Sequence, residues 1–333
     1  MKKRIMAMAT TLALSAFIAG CSGSSSSKGE SEGALTLKLA HSGSDTHQYQ
    51  IGAAEFAKVV EEKSDGKIKV EIHGNATLGS EAEAIEQVID GTIDMSVVAA
   101  DSSLANTVPE MNLFGLPYIF DDREHVYSKL DGEPGKELLG LIDQNNMKGL
   151  GYWEVGFRHL TNNKKEINKP QDVEGLKIRV QPAPVWETHM KALGANPTPV
   201  AFNELYSALD QGVVDGQENP LPTIHSMKFY EVQKYVALTG HTYTPAVVIM
   251  SNNSWGKLDE DQQKVIEEAV EETKEYQRNF LEEKEQEIIA ELKENGVTIS
   301  EPDREAFKEA TKDVKNALAD QVPAELISEM ESK

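Results

Sequence analysis

Residues 35–99 read LTLKLAHSGSDTHQYQIGAAEFAKVVEEKSDGKIKVEIHGNATLGSEAEAIEQVIDGTIDMSVVA. Leu35, Leu37 and Leu39 alternate with polar residues, the period of a strand ending near Ala40. Gln48 to Ser64 carries an apolar face through Ile51, Ala54 and Val59, the period of a helix. Ile68, Val70 and Ile72 alternate again. Glu81 to Asp90 reads as a second helix, stopped by Gly91, and Ile93 to Ala99 as a third strand. The resulting β-α-β-α-β run contains two parallel crossovers, the signature of an α/β domain.

Further along, a second run of the same kind appears. Strands are expected over Gly149–Trp153, Lys177–Val180, Pro197–Val200, Asp215–Asn219 and Ala246–Met250. Helices are expected over Pro184–Leu193 and over Asn203–Gln211, the latter capped by Asn203 and stopped by Gly212. Asp259 caps a long helix that ends near Asn295, before Gly296. Its apolar stripe runs from Val265 to Leu292. At about 1.5 Å per residue it extends about 50 Å, long enough to touch two domains. The 333 residues suffice for two domains of ordinary size.

Composition narrows the function. With 39% hydrophobic and 26% charged residues the chain builds a real core. A net charge of −22 argues against nucleic-acid binding. It would also repel an anionic ligand, so any anion site must rest on a few local arginines. At the N-terminus, Lys2, Lys3 and Arg4 precede the apolar stretch Ile5–Ile18, which is too short to span a membrane comfortably and reads as a signal peptide, residues 1–20. Ile18-Ala19-Gly20-Cys21 resembles a bacterial lipobox, which implies a lipid on Cys21, the single cysteine. The alternative is an ordinary secretory signal with a leftover thiol. Ser22 to Gly33 is rich in Ser, Gly and Glu and reads as a flexible tether.

Nucleotide, zinc-protease and nucleophile-elbow motifs are absent. His41, Asp45 and His47 suggest either a metal cluster or a strand-to-helix turn with Asp45 or Thr46 as cap. Asp121 to His125 reads as a helix N-cap in a solvated charge run. Neither cofactor nor metal is expected. The informative region is Tyr152 to Asn219, which holds Arg158 after a strand and Arg179 inside Lys-Ile-Arg-Val. Ile178 and Val180 flank Arg179, so its side chain points to the opposite face. Open α/β sheets bind ligands beyond the carboxyl ends of their strands. A guanidinium there meets a carboxylate with two parallel hydrogen bonds. The competing reading is an arginine paired with one of the 55 acidic residues.

The strings GYWEVGFRHLTNNKKEINKPQDVEGLKIRV (151–180), ALGANPTPVAFNELYSALDQGVVDGQENP (192–220) and FYEVQKYVALT (229–239) carry a resemblance. Over about Leu35 to Val322 the chain resembles the solute-binding subunits of tripartite ATP-independent periplasmic (TRAP) transporters. The resemblance implies two α/β domains in a hinged, periplasmic-binding-protein-like clamshell, with the long C-terminal helix spanning both. Domain I would comprise 34–155 and 244–283, domain II 156–243 and 284–333, following the lipidated tether 21–33. It implies that Arg179 forms the main carboxylate salt bridge, that Arg158 and Asn219 assist, and that Phe202 packs on the ligand. It further implies an extracytoplasmic binding protein, not an enzyme, that hands its ligand to membrane subunits driven by a sodium gradient.

The rest of the ligand is expected to meet His41, Gln48, Asp101 and Ser102, with Trp153, Gln181, Glu218 and Tyr243 as further candidates near the cleft. The competing reading of Phe202 is plain core. MSVVAADSS (95–103) lacks, at the expected place, the acidic residue of the sialic-acid binders. Tyr152-Trp153-Glu154 and His241-Thr242-Tyr243-Thr244-Pro245 resemble members that bind six-carbon sugar acids, which points to a uronate or keto-gulonate type of ligand. A C4-dicarboxylate or keto acid, a ligand sensor for a receptor kinase, and a secreted enzyme acting on acidic sugars are the competing functions. A monomer is the default.

Overall fold

The computed structural model describes residues 34–332. The signal segment, Cys21 and the tether lie outside the described residues. Ten strands follow in chain order: β1 Leu35–Ala40, β2 Ile68–His73, β3 Met95–Ala99, β4 Met147–Asn162, β5 Lys177–Val180, β6 Asn196–Pro199, β7 Gly216–Pro220, β8 Tyr235–Ala237, β9 Tyr243–Ser251 and β10 Thr298–Ser300. They form one continuous sheet in the order β2-β1-β3-β9-β4-β7-β5-β6, with β8 joining β4 to β10. The first run folds as its periodicity dictates: β1 pairs parallel with both β2 and β3. The connecting helices are Gln48–Lys63 and Glu81–Asp90.

β4 is the seam of the sheet. Met147 to Phe157 pairs antiparallel with β9, and Arg158 to Asn162 pairs antiparallel with β7. The strand is far longer than the five residues expected for it, because Gly149, Gly151 and Gly156 interrupt its alternation with bulges rather than ending it. Gly156 has φ +120°, a conformation that favours glycine.

The long helix runs Glu260–Glu294. Asp259 accepts from the Gln262 backbone N–H at 2.8 Å and the Gln262 side chain accepts from the Asp259 N–H at 3.0 Å, a capping box. Ile266, Ala269 and Val270 pack with Leu37, Phe56 and Trp153 under β1 and β3. Ile288 and Leu292 pack with Leu205, Ile224 and Phe229 in a separate cluster. One helix therefore ties two hydrophobic cores together. Between them, buried Gln277 donates to the Gln48 carbonyl at 2.7 Å and accepts from the Glu154 N–H at 2.7 Å. No helix of the described residues is long and apolar enough to cross a membrane.

Two caps differ from expectation. A 3-10 turn over Phe202–Glu204 intervenes, so the next helix starts at Leu205 and Asn203 caps nothing. At helix Gln48–Lys63 the cap is His47, because the chain turns back at Ser44 and leaves His47 extended with its ring facing the first turn. Asp122 caps Arg123–Leu130 as the charge run suggested.

Candidate functional site

The bulge at Gly156 decides which way Arg158 faces. In an uninterrupted strand Glu154, Gly156 and Arg158 would share a face. The extra residue flips the alternation, so Arg158 joins Val155 on one face while Glu154 and Phe157 line a cavity on the other. A narrow cavity on the Arg158 face is bounded by Ser42, His47, Tyr49 and Glu81 from the first half of the chain. From the second half it takes Gln181, Phe202, Asn219 and Thr223.

Arg158 is almost fully engaged by its own protein. Nε donates to Glu218 Oε2 at 2.5 Å, and Nη2 donates to Glu218 Oε1 at 3.0 Å and to Asn219 Oδ1 at 3.0 Å. Nη1 donates to Thr244 Oγ1 at 3.2 Å, and the guanidinium carbon lies 5.1 Å from the Trp186 ring centre. His241 Nε2 approaches Glu218 Oε2 at 3.4 Å. Burial alone would lower the Arg158 pKa, but Glu218 raises it above the ordinary value. Burial would likewise raise Glu218, which Arg158 instead holds below the usual carboxylate range. Arg158 is thus a fixed buried charge, and it orients Asn219 at the cavity wall.

Arg179 is the opposite case. Ile178 and Val180 are buried in the core, which sends the arginine to the other face of β5. Only 1% of it is exposed. Nε donates to the Val200 carbonyl at 2.9 Å, yet Nη1 is buried with no partner. Burial lowers its pKa to about 10, which Glu218 opposes, and Arg158 lowers it further. It remains protonated at neutral pH. A buried cation with an unsatisfied N–H demands an anion.

The first half of the chain answers with polar groups. Asp101 accepts from Gln181 Nε2 at 3.1 Å and from Thr244 Oγ1 at 2.6 Å, and burial pushes its pKa up to about 6. Glu81 accepts from the Ala99 N–H at 2.7 Å and from the Ser102 hydroxyl, and burial raises its pKa. Gln48 donates to Thr223 Oγ1 at 2.7 Å and to the Val155 carbonyl at 3.2 Å. His41 pairs with Gln50 Oε1 at 2.9 Å in an adjoining lobe that shares Ser42 and Glu81 with the cavity.

The expected residues therefore separate. Arg158, Asn219, Gln181 and Phe202 line the cavity, with Arg179, Asp101, Ser102 and Glu218 packed around them. Phe202 is half-buried and meets His47 and Phe229 edgewise, so it walls the cavity and also touches a core. Gln48 lies beside the cavity at Thr223 and faces a neighbouring groove. Trp153 and Tyr243 do not join. Trp153 is fully buried against Phe56 and donates to the Val270 carbonyl, and Tyr243 packs on Phe120 and Phe157 across the sheet. Glu81, His47, Tyr49 and Thr223 were not singled out as ligand contacts from sequence. Glu81 follows a capping serine and looks like an ordinary first-turn acid. His41, Asp45 and His47 form no metal cluster, nor does any group of three or more His, Cys, Asp or Glu among the described residues.

A larger cavity on the opposite face of β4 contains Arg123, but that arginine is already paired with Glu154 at 3.2 Å and Glu285 at 2.6 Å. The cavity's other arginine, Arg304, is exposed and donates to the Asp121 carbonyl at 3.4 Å, so neither is a buried cation left without a partner.

Residues 39–321 match the model of a family described as bacterial extracellular solute-binding protein, family 7. The chain is 36% identical over 295 residues to the 2,3-diketo-L-gulonate-binding periplasmic protein of Escherichia coli (strain K12), covering 88% of this chain and 89% of that protein. It superposes with a TM-score of 0.87 and 35% identity on the sugar acid binding protein of Advenella mimigardefordensis strain DPN7T in complex with galactonate, covering 90% and 97% of the two chains. A TRAP periplasmic solute binding protein of Sulfurospirillum deleyianum DSM 6946 with bound succinate matches with a TM-score of 0.86 and 34% identity, covering 90% and 99%.

Proposed function

The chain belongs to the bacterial extracellular solute-binding proteins of family 7, and we propose that it captures a six-carbon sugar acid of the uronate or keto-gulonate type for a TRAP transporter. It is a TRAP solute-binding protein for acid ligands, a binding component and not an enzyme. The observation that carries this reading is Arg179, a buried guanidinium whose Nη1 lacks a partner, beside a cavity lined by neutral polar groups, Glu81 and the already paired Arg158. One carboxylate satisfies Arg179 and reaches Asn219, and ligand hydroxyls suit Gln181, His47 and Glu81. The E. coli and A. mimigardefordensis relatives, named for diketo-gulonate and sugar acids, support this class.

The mechanism is closure of two domains, 34–155 with 244–283 and 156–243 with 284–333, about β4, β9 and the long helix. Arg179 and Asn219 hold the carboxylate on domain II. Domain I then closes, and contacts such as Ser44 Oγ to the Ser226 carbonyl at 3.1 Å and Gln48 to Thr223 at 2.7 Å join the halves. A ligand favours closure only through contacts it gains in that state. The protein acts as a monomer, held at the outer face of the cell membrane by a lipid on Cys21.

A C4-dicarboxylate is the second reading, favoured by the succinate-bound neighbour. Against it, the guanidinium lining the cavity, Arg158, is already neutralised by Glu218. Thermal shift against uronates, gulonates, aldonates and C4-dicarboxylates separates the two. At a thousandfold excess over Kd a ligand stabilises by about 4 kcal/mol. A shift confined to dicarboxylates would refute the sugar-acid reading.

A further inference from the structure

His47 does two jobs with one ring. Its Nδ1 accepts from the Tyr49 backbone N–H at 3.2 Å and so caps helix Gln48–Lys63. A neutral imidazole that accepts at Nδ1 carries its proton on Nε2. The ring is 1% exposed, and burial, with His41 nearby, lowers its pKa to about 3, so it is neutral at any physiological pH. It has little freedom to turn. A Cβ on Gly43 would sit 2.4 Å from it, Tyr49 meets it at a centroid distance of 4.6 Å, and Phe202 at 5.7 Å. Its Nε2 lies 3.4 Å from Thr223 Oγ1, a long contact to an oxygen that Gln48 already engages at 2.7 Å. His47 and Thr223 both line the cavity.

We infer that His47 is a specificity-determining residue, donating from Nε2 to an uncharged oxygen of the ligand beyond its carboxylate. This rests on the acid-binding reading of the cavity given above. The backbone of the helix fixes the tautomer, so the cavity offers a permanent neutral donor at this point. A neutral donor beside the Glu81 carboxylate does not compensate a second buried carboxylate. The ligand class is therefore monocarboxylic, with a hydroxyl or carbonyl oxygen at that end.

Two substitutions separate the two jobs. The Asn side-chain oxygen reaches where Nδ1 sits and is a strong N-cap, so His47→Asn keeps the helix start but loses the cavity donor. The Gln amide reaches where Nε2 sits, so His47→Gln keeps the donor and loses the cap. Titration calorimetry of the processed protein is run with D-glucuronate, D-galactonate and succinate, alongside Arg179→Met as control. Expected results are roughly three- to tenfold weaker sugar-acid binding in His47→Asn with an unchanged Tm, the worth of one neutral hydrogen bond. His47→Gln is expected to bind nearly as the wild type does, with Tm lower by about 1–4 °C. Unchanged affinity in His47→Asn while Arg179→Met abolishes binding overturns this inference alone, as does succinate binding as tightly as the sugar acids. Wild-type-like binding in Arg179→Met, or no binding of either sugar acid to the wild type, overturns the reading of the cavity and this inference with it.

Discussion

Replacing Arg179 with methionine is expected to raise the stability of the empty protein while removing its function. The guanidinium is buried, and burial lowers its pKa from the ordinary arginine range to about 10. For a base, a folded pKa below the unfolded one means that folding disfavours the charged form. The penalty is present in full below pH 10 and fades as pH rises toward the unfolded value. A drop of this size corresponds to about 3 kcal/mol at neutral pH. Methionine fills similar space without charge, and removing such buried charge stabilises by about 1–4 kcal/mol in favourable cases. The lost Nε bond to the Val200 carbonyl, 2.9 Å in the wild type, takes back about 1 kcal/mol. The net expectation is a ligand-free Tm several degrees higher. Affinity moves the other way, because a desolvated carboxylate loses its cation, about 2–5 kcal/mol. Differential scanning calorimetry without ligand and titration calorimetry with a bound sugar acid read the two effects. A variant that binds normally refutes the carboxylate assignment. A variant that binds poorly and also melts earlier shows that Arg179 serves the fold rather than waiting for an anion.

Three further outcomes follow from the same geometry. Glu218→Ala leaves Arg158 buried and uncompensated, so stability should fall by about 3–5 kcal/mol by chemical denaturation, while a loss below 1 kcal/mol would mean the pair is not the anchor of this site. Asp101, an acid whose burial raises its pKa to about 6, binds its proton more readily in the folded state than in the unfolded, so its contribution to stability is greatest below about pH 4 and declines as pH rises toward 6. Asp101→Asn should therefore flatten the loss of stability between pH 4 and 6 by roughly 3 kcal/mol in pH-dependent urea melts, and an unaltered slope argues against a raised pKa. Cys21→Ser should move the protein from the membrane to the soluble fraction of cells, and persistence on the membrane would exclude the lipid as anchor.

What sequence made legible here follows from what periodicity measures. Alternation and helical stripes report which face of an element is buried, so β1 to β3, the two crossover helices and the capped helix Glu260–Glu294 were open to reading. The same rule exposed Arg179, because Ile178 and Val180 both enter the core and leave one direction for the residue between them. Arg158 was legible as a residue but not as a direction. Its face depends on the bulge at Gly156, where φ is +120°, and a glycine in a string gives no sign of its φ. Trp153 and Tyr243 were drawn toward the ligand by their neighbours in sequence, yet nearness along a strand says nothing of sidedness, and both face packed cores.

Glu81 and His47 failed to show for a different reason. Each sits at a helix start where the residue already has an ordinary explanation, as a first-turn acid or as the end of a turn. In the folded chain these local roles and the cavity coincide, since helix starts beyond β1 and β2 are where the sheet's carboxyl edge opens. The acidic molecule accordingly needs no basic surface to hold an anion. It needs one buried cation that the fold has left without a partner, next to a second cation, Arg158, that the fold has already neutralised.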